Sequence, residues 1–132
     1  MHIRVVETDL PIHEFLKRIR EARGGIVQAF DKNAISSELE VKFAYFQAKR
    51  SFEEGCNIAR KLENEMLLRV AGVRNFESAV KKAGAKSYSE FIVFSETPIP
   101  INRLGIKKMR RLKKRSKEDY SRIESMALSV IK

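Results

Sequence analysis

The sequence is poor in the residues that cross-link a fold or hold a metal. It has one cysteine, Cys56, among 132 residues, so no internal disulfide can form. It has two histidines, His2 and His13, and no His/Cys/Asp cluster at metal-ligand spacing. Neither a metal nor another cofactor is expected. The patterns GxxxxGKS/T and GxGxxG are both absent, which removes the common glycine-rich phosphate loops. No uninterrupted apolar run approaches the roughly 20 residues of a membrane span. The opening MHIRVVETDLP lacks the basic-then-apolar layout of a secretory leader. A cytoplasmic protein is expected. Catalytic residues are equally scarce. His13 falls on the polar side of a helix, and Cys56 follows Gly55 at a helix junction and reads as a small buried residue. No base stands beside a nucleophile in a recognisable motif, so a binding module fits better than an enzyme.

One absence is local. From position 103 to 117 there is no acidic residue, and nine residues are basic. The whole chain carries 27 basic and 17 acidic residues, a net charge of +10. Outside that stretch 18 basic residues face 17 acidic ones, so nearly all the excess lies in one place. Such asymmetry points to a polyanion, with RNA or DNA the default partners. A solvated helical face is the alternative.

Periodicity supplies the elements. His2–Val6 is β-branched and reads as a strand. Asp9 caps a helix with Pro11 in its first turn and Gly24 as its stop; Ile12, Phe15, Leu16 and Ile19 form its buried face. Gly25–Phe30 is a second strand. Ser37 and Glu40 form a capping box for a helix ended by Gly55. Its two stripes, Leu39/Phe43/Phe46 and Val41/Tyr45/Ala48/Phe52, imply packing on several sides. A helix from Asn57 to Gly72 carries Ile58, Leu62, Met66 and Val70. A short one runs from Asn75 to Gly84, so AGVRN (71–75) is a tight corner. Ser89–Glu96 places Phe91 and Val93 on one face and Ile92 and Phe94 on the other, as a central strand covered on both sides requires. TPIPINR is extended around its prolines. From Leu104 the basic segment is expected to form a short helix anchored by Met109 and Leu112. The last helix, from Lys117, carries a stripe of Tyr120, Ile123, Ala127 and Val130. The whole is one α/β domain, residues 1–132: a helix-rich α+β chain with a small central mixed sheet of about three to four strands, flanked by helices.

The stretch ENEMLLRVAGVRNFESAVKKAGA, Glu63 to Ala85, resembles the signature of the small kinase-binding subunit of the KEOPS complex, the TPRKB family. The matching residues are Glu65, Met66 and Leu67, then Val70, Ala71 and Gly72, then Asn75, Phe76, Ala79 and Gly84. The order of elements fits along most of the chain, whereas KKMRRLKKR is no part of the signature. The resemblance implies a non-catalytic subunit of the complex that makes threonylcarbamoyladenosine in tRNA. Such a subunit docks on the small atypical kinase/ATPase, reaches the threonylcarbamoyl transferase through it, supports kinase activity, and helps recruit tRNA through its single-stranded acceptor end. A monomer is expected in isolation.

Residue chemistry stands beside that implication. At the corner, Gly72 lets backbone approach closely, the N-terminus at Asn75 offers N–H groups to an anion, and Arg74 can pair with phosphate or stack on a base. Lys81, Lys82 and Lys86 extend the charge. The alternative is a plain helix–helix corner with Asn75 as its cap. Lys107, Lys108, Arg110 and Arg111 are expected on the tRNA phosphate backbone. Ile123 and Met126, if exposed on the last helix, are the expected kinase contacts; otherwise that helix packs on its own core. Two rival readings remain at this point: a stand-alone basic domain that grips nucleic acid without sequence preference, and a small enzyme.

Overall fold

A computed structural model describes residues 1–23, 25–86, 90–99 and 105–131. The expected Gly24 stop, Ser89, positions 100–104 and the side chain of Val130 lie outside the described residues. The elements run β1 (His2–Thr8), α1 (Ile12–Arg23), β2 (Val27–Phe30), α2 (Glu38–Glu53), α3 (Leu62–Ala71), α4 (Phe76–Ala83), β3 (Glu90–Ser95), β4 (Ile106–Arg111) and α5 (Asp119–Ile131). None of the described helices is long and apolar enough to cross a membrane.

The strands form one sheet in the order β2-β3-β1-β4. Every pairing is antiparallel, so the sheet is not mixed as the sequence suggested. β3 is central, and its alternation divides the core as expected. Phe91 and Val93 join Val6, Val27, Phe15 and Ile19 beneath α1, where Phe15 meets Phe91 edge-on at 5.4 Å. Ile92 and Phe94 join Ile3, Val5, Val41, Tyr45, Met66 and Leu68 beneath α2 and α3. Tyr45 lies 4.9 Å from Phe94, and its hydroxyl donates to Glu96 Oε2 at 2.6 Å. Burial, then that carboxylate, pushes the phenol up to about 12. The result is three layers: α1, the sheet, and the remaining helices.

Four local expectations are corrected. The basic segment is a strand, not a helix. Thr8 pairs with Ile106 and Glu7 with Lys108, leaving Lys107 as the extra residue of a bulge. A bulge shifts the two-residue alternation by one. Ile106 and Met109 therefore share the α1 face while Leu112 packs on the other, and an i, i+3 spacing arises without a helix. The capping box does not form either. Ser37 makes no side-chain cap bond; the N–H groups of Glu38 and Leu39 donate instead to the carbonyls of Lys113 and Lys114, at 2.8 and 3.2 Å. Finally, α3 begins at Leu62 rather than Asn57, which leaves Ile58 39% exposed. Cys56 is exposed rather than buried.

Candidate functional site

The corner between α3 and α4 is built by three residues. Gly72 takes φ 68°, the left-handed conformation that stops a helix, and its N–H and that of Val73 both reach the Leu68 carbonyl, at 2.9 and 3.2 Å. A Cβ at Gly72 would stand 3.2 Å from Ser125 Oγ on α5, so the corner also needs a small residue for close approach. Asn75 Oδ1 accepts from the Ser78 N–H at 3.0 Å and caps α4. Between them Arg74 is exposed, with no ion pair or hydrogen bond among the described residues.

The other signature residues hold the corner up. Met66, Leu67, Ala71 and Ala79 are buried. Glu65 is fully buried. Its Oε1 accepts from the N–H groups of Ile58 and Ala59, at 2.9 and 2.8 Å, and its Oε2 pairs with Arg69 at 2.8 Å. Arg69 also donates to Ser51 Oγ on α2. One carboxylate thus satisfies two backbone donors of the irregular segment before α3 and ties that helix to its neighbour.

Other cations surround the corner unequally. Lys81 pairs with Glu77. Lys86 donates to the Lys81 carbonyl at 2.7 Å and so closes the end of α4. Lys82 lines a cleft of about 340 Å³ between the corner and α5, with Asn33, Ala71, Arg122 and Ser125. Arg122 donates to the Ala34 carbonyl and stands 3.2 Å from Glu40 Oε1, off the angle of a hydrogen bond, so that oxygen lacks a donor among the described residues. Sequence reasoning missed Asn33, Arg122 and Ser125, because only the tertiary fold brings the 31–34 turn and α5 to the corner. It also passed over Phe76 as a stacking surface; this ring is 49% exposed, two positions from Arg74.

On β4 the expected phosphate contacts face carboxylates. Lys107 pairs with Asp9 at 3.0 Å, Arg110 with Glu90 at 3.4 Å and Arg111 with Glu38 at 3.6 Å. Lys108 sits opposite Glu7 in the register. β4 is an edge strand, and a charged edge discourages pairing with another copy.

The α2–α5 face is where apolar side chains meet solvent. Val41, Tyr45 and Ala48 turn inward, but Phe46 is 59% exposed, so the Leu39/Phe43/Phe46 stripe is not core. With α5 it lines two adjoining hollows that share Ala127. One of about 560 Å³ includes Leu39, Tyr120 and Ile123; one of about 480 Å³ includes Phe43, Phe46 and Cys56. Ile123 is half-buried in this face. Met126 is 2% exposed. It points into the body of the protein, and the exposure asked of it as a partner contact is not met.

Two acidic groups stand behind this face. Burial pushes Glu40 up, against the opposing donors from Ser36 and the charge of Arg122. Burial also works to raise Asp119, but the Ser37 hydroxyl and the Ser116 N–H outweigh it and hold that carboxyl low. Both groups are committed to joining α2, α5 and the preceding loop. Among the described residues no group of His, Cys, Asp and Glu has the arrangement to hold a metal ion.

Over 65 residues the chain is 35% identical to the KEOPS complex subunit Cgi121 of Pyrococcus abyssi (strain GE5 / Orsay). That stretch is 49% of this chain, and it spans 38% of the length of the relative. No family model matches. The chain is thus similar, over about half its length, to a subunit of the complex to which the Glu63–Ala85 stretch pointed.

Proposed function

We propose that the chain is a non-catalytic subunit of a KEOPS-type tRNA-modifying assembly. In this reading it docks on the small kinase/ATPase through the α2–α5 face and receives the single-stranded acceptor end of tRNA at the α3–α4 corner. The observation that carries the assignment is the 35% identity to a KEOPS subunit. Geometry supports the division of labour. The α2–α5 face offers exposed Phe46 and Tyr120 around apolar hollows, as partner surfaces do. The corner offers Arg74 and Phe76, a free guanidinium and an exposed ring, which suit phosphate and an unstacked base. The chain's own part is to hold and orient, and the transfer chemistry belongs to its partners.

Co-purification with the KEOPS kinase of the same organism tests the docking half. Phe46→Glu or Ile123→Glu is expected to abolish association with the fold retained. Binding of tRNA with an intact or trimmed 3′ tail tests the other half, and Arg74→Gln is expected to erase the difference between the two. The concentrated positive charge favours a second reading, a stand-alone basic module. Under that reading, trimming the tail leaves affinity unchanged and no kinase co-purifies.

A further inference from the structure

The basic segment has two parts with different surroundings. All four strand cations face an acid, three of them at ion-pair distance and Lys108 opposite Glu7. The loop that follows is different. Lys113, Lys114, Arg115 and Lys117 are all exposed, and none is at ion-pair distance from a carboxylate among the described residues. The nearby acids make their hydrogen bonds elsewhere, Asp119 accepting from Ser37 and Ser116 and Glu118 from the Ser116 hydroxyl, although the charges of Lys113 and Lys117 act on Glu118 and that of Arg115 on Asp119. We propose that the 113–117 loop is a contact site for the phosphodiester backbone of duplex RNA, and that the β4 cations belong to the fold rather than to the RNA.

The loop is held in place. The carbonyls of Lys113 and Lys114 accept from the first N–H groups of α2, and the Ser116 N–H is fixed on Asp119 at 2.8 Å. Four cations are therefore presented from a fixed backbone, at little ordering cost on binding. KKRSK carries no aromatic or branched apolar side chain of its own, although Arg115 and Lys117 line the hollow that also holds Tyr120 and Ile123. Arg115 is the loop's single planar group that can stack on a base, and the paired bases of a duplex are not open to it; stable membrane attachment generally needs an apolar anchor besides basic residues. What remains is charge on phosphate, which is indifferent to sequence. That the duplex is RNA rests on the KEOPS reading, whereas the phosphate contact rests on the loop's charge; using the isolated chain and an RNA with no single-stranded end keeps the failure of this inference distinct from the failure of that reading.

The test is the salt dependence of binding to a blunt RNA duplex, measured with the full chain. In Lys113→Gln/Lys114→Gln/Arg115→Gln/Lys117→Gln the capping carbonyls are unchanged, so the fold is kept, as circular dichroism checks. Each phosphate contact contributes about 0.9 to the slope of log K on log salt for a B-form duplex. With four cations removed, the loop variant is expected to lose up to about 3.6 units of slope, equally for duplexes of different sequence. Lys107→Gln/Arg110→Gln/Arg111→Gln is expected to lose about one or less, because those cations exchange one anion for another. An unchanged slope in the loop variant, or a larger loss in the strand variant, overturns the proposal. So does salt-dependent binding to phosphatidylserine vesicles that needs the loop while the RNA slope does not.

Discussion

The α3–α4 corner and the 105–117 segment are both rich in cations, yet they are built on opposite principles. In the first, the charged residues at its base are buried and paired: Glu65 and Arg69 are 0% and 3% exposed and joined at 2.8 Å. Little of it is free, essentially Arg74, Lys82 and the ring of Phe76. In the second, charge is on the surface, and its loop half has no counter-charge at contact distance among the described residues. A buried pair fixes geometry and is costly to break, whereas exposed unpaired charge contributes little to stability and is available to a partner. Mutations in the two regions should therefore separate cleanly into effects on folding and effects on binding.

The largest effect is expected at Glu65. Glu65→Ala leaves the Arg69 guanidinium buried without its partner and strips two backbone donors, and should cost about 3–5 kcal/mol in denaturant unfolding. A cost below about 1 kcal/mol would mean that the pair does not support the corner. Gly72→Ala comes next. It forces a Cβ into the left-handed region beside Ser125 and should cost roughly 1–2 kcal/mol. Asn75→Ala should cost about 1 kcal/mol through loss of the cap. Asn75→Asp keeps the cap, so equal stability with weaker binding of a tailed tRNA would separate the structural role of this position from an RNA role.

A pH-dependent difference is expected at Glu40, behind the α2–α5 face. Its proton is held more tightly in the folded protein than in the unfolded chain. The stability this adds is present in full below the ordinary value of 4.5 and is lost as pH rises through the raised folded value. Glu40→Gln keeps a neutral group there, so its stability relative to the parent should improve as pH rises above 4.5. Unfolding curves of both proteins across that range check the sign, and a difference that stays flat or declines contradicts it. The smallest effect is expected from the loop. Neutralising Lys113, Lys114, Arg115 and Lys117 should change stability by no more than about 0.5 kcal/mol while changing the RNA salt slope most.

Much of this architecture was legible in the residues. β3 declared itself by apolar side chains on both faces, and the corner by two glycine stops around Asn75. The basic strand was misread because Met109 and Leu112 stand three residues apart, as on one side of a helix. In the strand they lie on opposite faces of the sheet, which is not visible without the partner strand. The capping box at Ser37 and Glu40 was misread for a similar reason. Carbonyls some 75 residues later in the chain cap α2, which frees Ser37 and Glu40 to bind Asp119, Ser36 and Arg122. At Met126 the stripe was found but its direction was not, because which side of α5 meets α2 and α3 is a tertiary matter. The cleft beside the corner was illegible on the same ground.

The most direct test of the central claim is reconstitution. A KEOPS assembly from the same organism, lacking its small kinase-binding subunit, is supplied with this chain, and threonylcarbamoyladenosine formation is measured on tRNA with an intact or a trimmed 3′ tail. The account predicts that the chain restores modification of the intact tRNA and does so poorly for the trimmed one. Failure to restore modification, from a chain shown to be folded, would contradict it.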